Sequence, residues 1–171
     1  GKDEGFLTFI RSWKDKGKSN YTHVFVVRSD NVRAYTVPVG LEEIEDAVTE
    51  LRAGLDLSNV GSLSDLASFD TTLAFELYAK LFKPAEKMLQ GVKHLFVVPS
   101  GALGSLPLGV LVTDKPKVPQ ALADYRHVAW LYKDYAITTL PSVASLKALR
   151  VFAQKESAEA PFIGFGDPVL G

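Results

Sequence analysis

The chain has 171 residues, of which 47% are hydrophobic and 23% are charged, a balance typical of one soluble globular domain with a sizeable core. Its net charge of -1 gives no bulk electrostatic reason to expect nucleic acid or a membrane as a partner. The sequence contains no cysteine, which excludes disulfides, thiolate zinc sites and a cysteine nucleophile within this chain, and which fits a cytoplasmic protein.

The first twenty residues are interpreted as an extension that precedes the folded domain. Residues 6–13 form a short amphipathic segment, and the polar residues 14–20 follow it as a linker. The domain itself is therefore predicted to span residues 21–171.

Two β-rich runs open that domain, at residues 23–28 and 32–39. The three residues between them, Ser-Asp-Asn at 29–31, are typical of a hairpin turn. The sequence therefore predicts an N-terminal β-hairpin.

Two helices are predicted next. Apolar residues recur at three- and four-residue spacing between positions 41 and 51, with acidic residues between them, which indicates an amphipathic helix ending near Gly54. Asp70 is placed to cap a second helix, because its short side chain can accept hydrogen bonds from the first-turn N–H groups. Pro84 is expected to interrupt this second helix, and Gly91 to end the segment.

The second half of the chain alternates between strands and helices. Residues 93–98 are apolar on both faces, as in a central parallel strand covered by helices. Residues 126–132 and 134–140 are predicted to be extended, and a helix is expected from 141 to about 153. Residues 162–165 are predicted to form a last strand, and because no crossover helix follows it, the sheet is expected to be incomplete at the C-terminus. This pattern predicts an α/β fold.

Ser100 is one candidate nucleophile, because it follows a predicted strand, as the serine of an α/β-hydrolase does. The elbow of such enzymes needs glycine two residues on either side of the serine, whereas this chain has Val98 and Ala102 there. A turn serine is therefore the favoured interpretation. An unrelated α/β hydrolase that uses Ser100 stays open as an alternative.

The three histidines give no evidence for a metal site. His23, His94 and His127 each lie in or beside a predicted strand, without a second ligand at the spacing that metal sites use. No glycine-rich dinucleotide fingerprint is present either. We therefore expect no metal or other cofactor.

Three segments, taken in order, resemble the CHAT domain family. Residues 95–111 (LFVVPSGALGSLPLGVL) are similar to the family's strand, Pro-x-Gly turn and Leu-Pro run. Residues 135–146 (YAITTLPSVASL) are similar to its next strand and Pro-Ser helix start, and residues 162–168 (FIGFGDP) to the strand with a Gly-Asp-Pro exit.

The resemblance implies a caspase-like three-layer sandwich, with a mostly parallel sheet flanked by helices, usually joined to tetratricopeptide repeats in bacterial proteins. It also implies a cysteine peptidase with a His–Cys dyad that acts on a protein substrate. The dyad motifs of the family come after the Gly-Asp-Pro strand, so no residue of this chain matches them. The chain is thus expected to be the non-catalytic N-terminal portion, with the remainder of the domain as its partner.

Asp167, at the end of the last predicted strand, is the one candidate substrate-binding residue. The carboxyl ends of strands frame the active sites of open α/β sheets, and an acid there could bind a basic side chain of the substrate. The competing interpretation is that Gly-Asp-Pro is turn chemistry. A second functional alternative is an interaction module without peptidase activity.

Overall fold

The computed structural model describes residues 1–11, 21–56, 58, 69–119 and 121–152. In these ranges the strands are β1 Glu4–Arg11, β2 Thr22–Val27, β3 Val32–Val37, β4 His94–Val98 and β5 Ala136–Thr139. The helices are α1 Leu41–Ala53, α2 Thr71–Leu81, α3 Leu131–Asp134 and α4 Val143–Phe152. In this part of the chain, no helix has the length and apolar character needed to cross a membrane.

The five strands form one mixed sheet in the order β3-β2-β1-β4-β5. β1 lies at its centre, antiparallel to β2 and parallel to β4; Leu7 is opposite Val26 on one side and Val97 on the other. The β2–β3 pair is antiparallel and the β4–β5 pair parallel. The α/β class is confirmed. The sheet of the described residues is mixed, because the hairpin joins it antiparallel to β1, so a mostly parallel character is not confirmed.

The central position of β1 differs from the sequence interpretation, which treated residues 6–13 as part of an extension. Leu7 is completely buried and Phe9 is 4% exposed, so this strand belongs to the core. A short apolar run fits a strand as well as a helix, and here the pairing with two distant strands decides its structure. Residues 12–20 lie outside the described residues.

The predicted hairpin is confirmed as β2 and β3, joined by a tight turn. The Arg28 backbone N–H donates to the Asn31 carbonyl over 2.8 Å and closes that turn. Thr22, at the start of β2, is buried, and its hydroxyl donates to the Val39 carbonyl at 2.9 Å. That bond satisfies the buried hydroxyl, whose desolvation would otherwise cost free energy.

Helices α1 and α2 pack over one face of the sheet, which we call the covered face. Phe9 of β1 packs against Phe82 with ring centroids 5.3 Å apart, and the Tyr35 hydroxyl of β3 donates to the Leu81 carbonyl at 2.7 Å. The inward strand residues are buried apolar side chains: Leu7, Phe9, Val24, Val26, Leu95 and Val97. The helices contribute the other half of this core: Ile44, Val48, Leu51, Ala74, Leu77 and Leu81.

The ends of these helices follow the sequence signals. α1 ends at Ala53, next to Gly54, as the spacing predicted. The Asp70 carboxylate accepts hydrogen bonds from the backbone N–H groups of Thr72 and Leu73, both at 2.9 Å, which confirms it as the N-cap of α2. Pro84 follows in a short 3-10 turn, and Gly91 has a φ of 76°, a conformation that glycine adopts without steric cost.

One predicted element is wrong. Residues 126–132 are not one extended segment; a 3-10 turn at Leu122–His127 and the short α3 flank residues 128–130, where Trp130 forms an isolated β-bridge with Val112. Side chains hold the bend locally, because Trp130 Nε1 donates to the Tyr125 carbonyl at 2.9 Å and Lys133 Nζ to the Val128 carbonyl at 2.8 Å. β5 and α4 then lie where the sequence predicted them. The last predicted strand, at 162–165, falls outside the described residues.

Candidate functional site

The second face of the sheet, which we call the open face, carries apolar side chains that helices cover only in part. Residues that are opposite each other in neighbouring strands share a face, so Phe6 and Phe96 lie together, as do Thr8 and Val98. The open face comprises these side chains: Phe6, Thr8, Ile10, His23, Phe25, Val27, Phe96 and Val98. All but Phe6 keep some solvent exposure, and Ile10 is 50% exposed.

α4 rests on one end of the open face. An ion pair joins Arg150 Nη2 to Glu4 Oε2 at 2.6 Å, and the same guanidinium lies 5.9 Å from the centroid of the Phe96 ring. The helix buries little of itself, since Val143 is 57% exposed and Leu149 58%. α4 therefore lies over the end of the open face that contains Phe96, whereas Ile10, at the opposite end, is 50% exposed and is not covered by a described helix.

A groove of about 470 Å³ remains between α4 and the sheet. We call it the α4 groove. It lies at the amino end of β1, away from the carboxyl ends of the parallel strands. Its apolar lining comes from both walls: Phe6, Val27, Phe96, Val143, Leu146 and Val151.

The carboxyl ends of β1, β4 and β5 meet at one edge of the sheet, where open α/β sheets place their ligands. Ser100 lies at this edge, half-buried, just before Gly101 with a φ of 59°. In the described ranges, the Ser100 hydroxyl has no hydrogen-bonded base. His94 begins the same strand, roughly 20 Å away at the usual rise per residue. The geometry therefore does not support Ser100 as a nucleophile.

The histidines lie apart. His23 is on the open face, with its Nδ1 2.8 Å from the Thr36 hydroxyl. His94 is exposed at the other end of the sheet, and His127 is exposed at the end of the 3-10 turn. Over the residues that the structure describes, no group of three His, Asp or Glu side chains could hold a metal ion.

Arg28 is a structural residue that the sequence analysis missed. Its Nη1 donates to the carbonyls of Met88 at 2.8 Å and Gln90 at 3.1 Å, and its Nη2 donates to the Lys2 carbonyl at 2.6 Å. One guanidinium thus joins the end of β2, the turn before β4 and the segment before β1. No residue-type signal could have identified it, because its partners are backbone carbonyls.

Tyr78, which is buried, and Tyr35, which is half-buried, serve the covered face and not a reaction. Burial raises the pKa of Tyr35, so its hydroxyl stays protonated and donates to the Leu81 carbonyl. Burial, followed by the hydrogen bond to Glu86, also raises the pKa of Tyr78, whose hydroxyl lies 2.8 Å from Glu86 Oε1. Both groups are therefore neutral donors at physiological pH.

Asp167, the predicted substrate-binding residue, lies outside the described residues. Its role stays a prediction.

Comparison with known proteins identifies the family. A sequence model of the CHAT domain matches residues 71–170, a stretch that contains the three segments on which the resemblance rests. No curated protein matched the chain. Because the match covers more than half of the 171 residues, this chain belongs to the CHAT domain family.

Proposed function

We propose that this chain is the structural, non-catalytic part of a caspase-like CHAT cysteine peptidase, and that it braces the part that carries the His–Cys dyad. The chain has no cysteine, so the nucleophilic thiol of such an enzyme must come from outside these 171 residues. The remainder of the domain is the proposed partner, and a protein chain the proposed substrate.

The open face is the observation that carries this proposal. In a three-layer caspase-like sandwich, helices cover both faces of the sheet. Here Phe25 and Val98 are half-buried and Ile10 is half-exposed, while their neighbours on the covered face are buried. Each Å² of apolar surface removed from water contributes about 25 cal/mol, so covering these side chains favours docking of the remainder.

The chemistry of the dyad explains why a separate structural part would be needed beside the part that carries the dyad. The histidine would lower the effective pKa of the thiol and later protonate the leaving amine, so both groups must be held at hydrogen-bonding distance. A rigid sheet supplies that positioning. We also propose a cytoplasmic location, because a chain without cysteine fits a reducing compartment, and attachment to tetratricopeptide repeats, as in other members of the family.

Complementation tests the proposal directly. The chain and the remainder of its CHAT domain would be produced separately and mixed, and binding and peptide cleavage would be measured. We expect the mixture to cleave and this chain alone to be inactive.

A charge on the open face should weaken assembly. Ile10→Glu is expected to weaken the complex by about tenfold or more, because it places a carboxylate in an apolar interface. Leu122→Glu is the matched control, since Leu122 is 54% exposed but lies away from the open face. Cleavage by the chain alone, or equal assembly of both variants, would contradict the proposal.

An interaction module without peptidase activity is the second candidate, because the open face favours docking whatever the partner does. It predicts that the mixed polypeptides associate but do not cleave, and that a thiol-directed inhibitor labels neither. Substitution of Asp167 distinguishes further between the peptidase and the interaction module. In an active assembly, Asp167→Ala should reduce cleavage after Arg or Lys relative to other sites, and an unchanged preference would remove that proposed role.

A further inference from the structure

The α4 groove combines an apolar lining with a rim of positive charge. Arg28, Lys147 and Arg150 line it, against the single carboxylate of Glu4. Arg150 pairs with Glu4, and Arg28 donates to backbone carbonyls, which carry no net charge. Lys147 is exposed and has no carboxylate partner among the described residues. The rim therefore has a surplus of positive charge, which attracts anionic groups.

The shape of the groove favours a polypeptide over a small molecule. Sites for small molecules enclose most of their ligand's surface. Here Val143 is 57% exposed and Val151 64%, so the wall formed by α4 opens to solvent along its length. A peptide segment can cover this wall and place apolar side chains against Phe96, which is half-buried.

We propose that the α4 groove binds an acidic peptide segment that carries alternating apolar residues. Its apolar side chains pack on Phe96 and on the exposed Val143 and Val151 of α4. One carboxylate pairs with Lys147, and a second competes with Glu4 for Arg150. This site is separate from the carboxyl ends of the parallel strands and does not require peptidase activity.

Fluorescence anisotropy tests the binding with a labelled synthetic peptide of repeating Leu-Glu-Phe-Glu sequence and the full 171-residue chain. We expect saturable binding that weakens with added salt. A peptide with lysine in place of each glutamate should not bind, and one with serine in place of leucine and phenylalanine should bind about tenfold more weakly.

Matched charge reversals locate the site. Lys147→Glu should weaken binding about tenfold or more, whereas Lys117→Glu, an exposed lysine outside the α4 groove, should leave it unchanged. Equal loss in both variants, or absence of binding to the unmodified chain, would overturn the proposal.

Photo-crosslinking keeps the proposal testable if the Lys147 variant does not fold. A benzophenone-bearing form of the acidic peptide should label α4 or β1 of the unmodified chain. Labelling confined to other segments would overturn the proposal. None of these outcomes affects the complementation assay, so the two proposals can fail independently.

Discussion

The two faces of the sheet are built from the same strands and differ only in what packs over them. Leu7 and Val97 on the covered face are completely buried, whereas Ile10 and Phe96, on the same two strands, remain partly exposed. Side chains alternate along a strand, so an apolar sequence supplies both faces equally. The contrast shows that, within the described residues, helices complete the cover of one face of the sheet and leave apolar side chains of the other face partly exposed.

The largest expected effect distinguishes the faces by stability. Leu7→Ala should lower the free energy of unfolding by about 2–5 kcal/mol, because it opens a cavity in a packed core. Ile10→Ala, on the open face of the same strand, should change it by about 0.5 kcal/mol or less. Urea unfolding monitored by circular dichroism measures the free energy of unfolding of both variants. Equal decreases would contradict the distinction between the covered face and the open face.

Arg28 should have the next largest effect. Arg28→Ala removes the donors to three backbone carbonyls, and we expect the free energy of unfolding to fall by about 2 kcal/mol. Arg28→Lys serves as the comparison, because an ammonium keeps the charge but cannot reproduce the planar fork. If Arg28→Lys has the same free energy of unfolding as the unmodified chain, the position requires a positive charge and not the planar geometry of the guanidinium.

The smallest effect concerns the ion pair that attaches α4 to the open face. Glu4→Gln should change overall stability by only about 0–1 kcal/mol, since the ion pair with Arg150 is partly exposed. It should nevertheless speed hydrogen exchange of the α4 amides at low salt, and the difference from the unmodified chain should shrink as salt is added. If neither the Glu4→Gln substitution nor added salt alters the hydrogen-exchange rates of α4, apolar contacts alone hold the helix on the sheet.

Local signals in the sequence predicted the elements whose structure is decided locally. The N-cap at Asp70 and the hairpin turn at 29–31 depend on the chemistry of adjacent residues, and both are present. β1 was missed as a strand because its place depends on partners about 20 and 90 residues away. The bend at 122–134 was missed because side-chain bonds to carbonyls, such as that of Trp130, fix it.

The candidate site was less predictable than the fold. The sequence identified the family through residues 95–111 and 135–146, and the absence of cysteine excluded catalysis by a thiol of this chain. It gave no sign of the open face or of the Glu4–Arg150 pair, whose members are 146 positions apart. Such features arise only when the topology brings distant segments together.

Carbene footprinting of this chain, alone and mixed with the remainder of its CHAT domain, tests the central claim most directly. Labelling of Ile10, Phe25 and Val98 should fall sharply in the complex, while labelling of the exposed Leu122 stays constant. Unchanged labelling of the three open-face residues in a complex that does form would contradict the account, because docking would then use another surface.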